Sequence, residues 1–167
     1  MHRILPGSLM SSSSAARRFA GFLLRLLARV ALAVWFGGFT FYAAVVVPDL
    51  HENLGGMETG EISRRVAVFL YGIGAAALVS GWLVAATERV SGWRGKVRLG
   101  LLAVNTLLLV ALVLMHRSLG IRLDSGGSLA AFRSFHEVYL TVWTGQWLAI
   151  LGLLALDASP GIPEKGV

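Results

Sequence analysis

The stretch VAVFLYGIGAAALVSGWLVAA, Val66 to Ala86, runs for 21 residues without a charge. As a helix rising 1.5 Å per residue it covers ~30 Å, the thickness of a bilayer's hydrocarbon core. Lipid offers no partners to an open backbone, so such a segment must satisfy its own hydrogen bonds as a helix. Arg64 and Arg65 stand before it and Glu88 and Arg89 after it, where water and headgroups begin. One membrane span of this quality raises the question of how many more there are.

Three further stretches have the same character. They cover Phe22–Val47, Leu99–Met115 and Val138–Leu156. In the first, Arg25 and Arg29 sit one turn apart near the start, where long side chains snorkel toward headgroups. Its apolar run is too long for a cleaved leader and reads as a retained span. Pro48 is expected to end it, because proline disfavours helix at the residue before it. Four spans with short connections predict an all-α fold, an integral membrane antiparallel four-helix bundle occupying residues 22–156. Residues 1–21 are expected to be a disordered basic segment, and residues 157–167 a flexible tail carrying Pro160 and Pro163.

Composition agrees. Hydrophobic residues make up 56% of the 167 and charged residues 14%, with a mean hydropathy of +0.71. A soluble domain carries about 25% charged residues. With no cysteine, disulfides, thiolate metal sites and cysteine nucleophiles are excluded. The net charge of +6 comes from basic residues flanking the spans. It therefore points to the lipid bilayer as partner and not to nucleic acid. The segment through Arg29, the loop from Thr87 to Arg98 and the tail hold ten of the 15 Lys and Arg, and the other two loops hold five. The positive-inside rule places both termini in the cytoplasm, and the expected location is the inner (plasma) membrane of a bacterium.

Between lipid-embedded helices, close backbone approach and polar contacts drive association. Small residues recur every fourth position in the second span, as Gly72, Ala76 and Ser80 and as Ala77, Gly81 and Ala85. Ala33 and Gly37 do so in the first span, and Thr141, Gly145 and Ala149 in the fourth. These stripes predict packing faces. Two amides, Asn105 and Gln146, lie deep in the third and fourth spans. Their depths differ by about four residues, or ~6 Å, within reach of an interhelical hydrogen bond. The alternative role for them is a polar pathway for a small solute.

The stretch FRSFHEVYLTVWTGQWLAI, Phe132 to Ile150, starts polar and ends apolar. Its Tyr139 and Trp143 read as an aromatic belt at the membrane edge, on the face opposite the small residues. His51, His116 and His136 all fall at span ends on one side of the membrane. They are the candidate metal ligands, for copper or haem iron, with Met57, Met115, Asp49, Glu52 and Glu137 nearby. No phosphate loop, dinucleotide fingerprint, nucleophile elbow or zinc-protease motif is present. No catalytic residue is named, no enzyme activity is expected, and the expected cofactor is none, with copper or haem as the alternative.

The stretch VWFGGFTFYAAVVVPDL, Val34 to Leu50, together with FRSFHEVYL before the last span, resembles a four-span family of unknown function. That family includes the transmembrane-protein-205-like proteins. The matching positions are Trp35, Gly37, Gly38, Pro48, Phe132 and His136. A weaker resemblance, through the Trp and paired Gly, is to copper-resistance-D-like membrane domains, which implies copper or haem chemistry. The first resemblance implies a membrane protein without an established reaction. The functional expectation is therefore a non-enzymatic membrane packing or interaction module, with a second copy or another membrane protein as partner. A copper- or haem-binding protein and a small-solute permease are the alternatives.

Overall fold

The computed structural model describes residues 9–88, 92–124 and 129–158. Five α-helices and one π-helical segment follow in order: α1 (Leu9–Phe41), a π turn (Tyr42–Val46), α2 (Val47–Leu54), α3 (Gly56–Thr87), α4 (Gly92–Asp124) and α5 (Leu129–Ala158). No strand occurs among the described residues. Four helical runs are long and apolar enough to cross a membrane: Ala15–Leu54, Glu58–Thr87, Gly92–Ile121 and Ser134–Ala158. The chain is an all-α bundle and a multi-pass membrane protein.

Each helix outruns its apolar window, since α3 alone has 32 residues, or ~48 Å. Once an apolar stretch is helical, adding a turn of helix-forming residues costs little. Helix α1 accordingly starts at Leu9, inside the segment expected to be disordered. Ala15, Ala16, Arg17 and Arg18 are good helix formers. Residues 1–8 and the tail from residue 159 lie outside the described residues.

Pro48 does not end the first span. The helix passes through it to Leu54, with the proline in the first turn of α2. An α-helical proline lacks a donor, and its ring meets the carbonyl four residues back. The chain accommodates this by widening one turn: Val47 N–H bonds to the Tyr42 carbonyl, five residues earlier. The turn to α3 comes at Gly55, whose φ of +81° favours glycine. Thr59 caps that turn by donating to the Gly55 carbonyl at 2.6 Å.

Successive spans run antiparallel. Helix α1 packs most extensively on α3, and α4 on α5; the α3–α4 interface is smaller, and the α1–α5 seam is the weakest. At the end bearing both termini, ion pairs tie all four spans. Glu88 accepts from Arg25 at 3.3 Å and Arg98 at 3.0 Å, Arg29 pairs with Asp157 at 3.8 Å, and Arg94 donates to the Leu156 carbonyl at 2.8 Å.

The core is mostly apolar, and unlike a soluble protein the bundle has an apolar outer surface as well. Phe69 and Leu107 are 73% and 70% exposed, while Asn105 and Gln146 are 0% exposed. Water would penalise that exposed apolar surface, whereas lipid accepts it. Exposed hydroxyls in the spans are satisfied within their own helix: Ser80, Thr141 and Thr144 each donate to the carbonyl four residues back.

The small-residue stripes divide. Ala77, Gly81 and Ala85 face inward, and Gly81 lets Leu102 of α4 approach closely. Gly145 and Gly152 face Leu108 and Leu101 of α4. Gly72 and Ala76 point outward, so that stripe does not pack within the bundle. The closest approach is elsewhere, at Gly74. A Cβ there would come within 2.5 Å of the Trp35 ring, which is 1% exposed. The Trp35 indole of α1 packs against the α3 backbone at Gly74, and only glycine leaves room for it.

Candidate functional site

Where α1 and α5 pack least, a cavity of about 630 Å³ opens along the seam, in the half of the bundle away from the termini. Phe39 and Thr40 of α1 and the π turn form one wall. His136, Tyr139, Trp143 and Trp147 of α5 form the other, and Ser63, Ala67 and Leu70 of α3 make the floor. The sequence explains this placement. The face of α5 carrying Tyr139, Trp143 and Trp147 recurs with helical spacing, so its three rings stand in line. The π turn inserts one extra residue into α1, which brings Tyr42, Ala43 and Ala44 onto the cavity side. Single π turns inside α-helices are often found at functional sites.

The aromatic stripe of α5 therefore does not form the expected membrane-edge belt. Tyr139 and Trp143 are buried. Phe39 stacks on Trp143 with ring centroids 4.3 Å apart and planes 7° from parallel, and Phe36 stacks on Trp147 at 5.2 Å. Tyr71 of α3 stacks on the other side of Trp143 at 5.5 Å. These ring pairs stiffen the walls. The α1–α5 seam lacks close backbone approach, and large rings bridge it in place of small residues.

The polar groups of the groove are paired in a definite order. Thr40 donates to the Phe36 carbonyl at 2.7 Å and accepts from Trp147 Nε1 at 2.9 Å. Tyr42 donates its hydroxyl to Ser63 Oγ at 2.7 Å. The hydroxyls of Tyr71 and Tyr139 meet at 2.5 Å, and either can donate. Thr144 donates to the Leu140 carbonyl at 3.0 Å. A hydroxyl has one proton and two lone pairs. The groove thus presents hydroxyl oxygens and aromatic faces on an otherwise apolar surface.

A second polar feature lies deeper. Asn105 donates to the Leu101 carbonyl at 2.8 Å, and Gln146 Nε2 donates to Asn105 Oδ1 at 2.6 Å. The direction of this chain is set by the Leu101 carbonyl, which can only accept. Gln146 Oε1 and Trp35 Nε1 are both buried without a partner. Tyr71 stacks on Trp143, and α3 and α5 run parallel. Three residues further along each places Gly74, and the indole resting on it, level with Gln146. One residue from each span thus contributes to a single central layer. It is a tie between helices, and both amides are fully buried.

Two of the three histidines, His116 and His136, flank the Tyr139 ring at 6.5 and 6.2 Å. Among the described residues, no group of three His, Asp or Glu side chains is placed to hold a metal ion. His51 rides on α2, and its side chain is exposed. His116 stands edge-on to Tyr71 at 5.5 Å, and His136 lies beside Tyr139 at 6.2 Å on the groove's rim. No cluster of all three histidines is found among the described residues.

Of the positions carrying the family resemblance, Trp35 fills the core against Gly74, Pro48 follows the π turn, and His136 lines the groove. Gly38 faces Leu70 of α3, while Gly37 faces open space. Phe132 lies in α5, and its side chain and that of Met57 are outside the described ones. Sequence reasoning passed over Thr40, Tyr42, Ser63 and Tyr71. The signal for Tyr42 was Pro48, six residues on in an unbroken apolar run. Ser63 and Tyr71 carried none, since their roles arise from pairing across helices.

No family model, no curated protein and no solved structure matches the chain.

Proposed function

We infer that this multi-pass membrane protein is a non-enzymatic binding module that holds a lipophilic small molecule in the groove between α1 and α5. The groove carries the reading. It is large enough for a ligand, within the ~300–1,000 Å³ of small-molecule sites. Its walls are aromatic and apolar, with a few hydroxyls at fixed places. It follows the weakest seam of a bundle whose outer surface is lipid-compatible, so a ligand dissolved in the bilayer reaches it sideways. The interaction role expected from the sequence thus becomes small-molecule binding. A probe alkane should bind the detergent-solubilised chain in the groove, and a bulkier side chain at Ala43 should abolish that binding.

The inner membrane of a bacterium is the proposed location, with the ion-paired end and both termini in the cytoplasm. The orientation draws on the sequence, where the N-terminal segment, the second loop and the tail hold ten of the 15 Lys and Arg. The absence of cysteine makes the test clean. In spheroplasts, a membrane-impermeant maleimide should label His51→Cys from outside and leave Ala158→Cys unlabelled until lysis. Labelling in the reverse order would refute this orientation.

A second reading, self-association, draws on Gly72 and Ala76, small residues of α3 that face outward. Close backbone approach between copies is the contact such residues favour.

A further inference from the structure

We propose that the groove selects lipophilic molecules carrying a carbonyl group, such as a ketone, ester or quinone. This rests on the reading of the groove as a ligand site and adds what that ligand must present. Apart from His136 and the Trp143 indole, which also line the groove, most protons of its polar side chains are already committed. Thr40 and Thr144 have given theirs to backbone carbonyls, and Trp147 has given its indole N–H to Thr40. Tyr42 has given its proton to Ser63. Ser63 Oγ accepts that bond and retains its own proton, which is one donor facing the groove.

The tyrosine pair supplies a second. When Tyr71 donates to Tyr139, the Tyr139 hydroxyl keeps its proton, and Tyr139 lines the groove while Tyr71 does not. A ligand acceptor favours that arrangement over the reverse one. In a membrane interior no water competes for these protons, so an acceptor on the ligand satisfies groups that are otherwise unused. The floor and opposite wall thus offer donors to the ligand, and a carbonyl oxygen, with two lone pairs, is the matching chemistry. An alkyl chain fits the same apolar walls without using the donors. A ligand hydroxyl would use them as well, its own proton going to a spare lone pair on the Tyr42 oxygen, so the selection is against molecules without an acceptor oxygen.

The test compares two probes that differ at one position: dodecyl methyl ketone, and the alkane with a methylene in place of the carbonyl. The full chain is used in maltoside micelles, which contain no carbonyl. Binding is read by native mass spectrometry, and hydrogen bonding by the infrared carbonyl stretch of isotope-labelled ketone. The wild type should prefer ketone over alkane about fivefold, the size of one net neutral hydrogen bond, with a lowered stretch.

Tyr42→Phe should keep the preference, because Ser63 retains its proton. The double variant Tyr42→Phe/Ser63→Ala should lose part of it while still binding alkane, which also shows that it is folded. Tyr139→Phe should lower the preference by removing the second donor. Should Tyr139→Phe fail to fold, the ketone preference and carbonyl stretch of the wild type decide. Equal binding of ketone and alkane by the wild type, or a preference unchanged in both the double variant and Tyr139→Phe, overturns the carbonyl inference and leaves the groove intact as a site. Binding of neither probe overturns the groove reading itself.

Discussion

At the scale of single residues, two positions govern the middle of the bundle. Gly74 exists in the shadow of the Trp35 ring, and a methyl there would meet aromatic atoms that cannot give way. Gly74→Ala should destabilise the chain by about 1–3 kcal/mol, the usual cost of overpacking, in unfolding from detergent micelles. Gly81→Ala should cost less, because its neighbour is the tip of Leu102, a flexible side chain. A larger loss at Gly81 than at Gly74 would contradict this packing. The second position is the Asn105–Gln146 pair. Asn105→Leu takes away the acceptor of Gln146 Nε2, which is fully buried. The cost should be about 1–3 kcal/mol, and the double change to Leu at both should cost less than the two singles added. Strict additivity would mean that the amides do not share a bond. The sequence made these amides visible, because polar residues are rare in such spans. It did not reveal Gly74, whose partner is 39 positions away on another helix.

The elements were legible wherever one helix's own chemistry decides. Four charge-free runs became four helices, since lipid leaves the backbone no other choice. What one helix cannot show is which face a neighbour covers. The stripe of Tyr139 and Trp143 looked interfacial because aromatic rings suit membrane edges, yet it faces α1 and α3, where Phe39 and Tyr71 stack on it. Pro48 misled for a related reason. Its local preference ends helices, but a π turn satisfies the same constraint within a continuous helical span. Pro48→Ala should let this turn relax to α-helix, rotating the preceding residues by ~100° relative to the following ones. Tyr42 would then swing away from Ser63. The expected outcome is unchanged helix content by circular dichroism with several-fold weaker binding of a lipophilic probe. Unchanged binding would show that the π turn does not shape the groove.

For the whole molecule, the architecture assigns different work to its two halves. The half with the termini is closed by ion pairs of Arg25, Arg29 and Arg98 and by the hydrogen bond from Arg94 to the Leu156 carbonyl. The other half leaves a seam between α1 and α5, spanned by rings and hydroxyls around an open volume. Between them the layer of Trp35, Asn105 and Gln146 pins all the spans at one depth. The seam was not legible in the sequence, because it depends on which two of the four helices pack least. The account rests on that seam accepting a ligand from the membrane. Ala43 lines it and is exposed, so Ala43→Phe fills the groove without overpacking the core. The deciding measurement is native mass spectrometry of wild type and Ala43→Phe with the same long-chain alkane in maltoside micelles. One bound alkane on the wild type and at least about tenfold weaker binding by a normally folded Ala43→Phe is the predicted result. Equal binding by the two proteins, or none by either, would contradict the account.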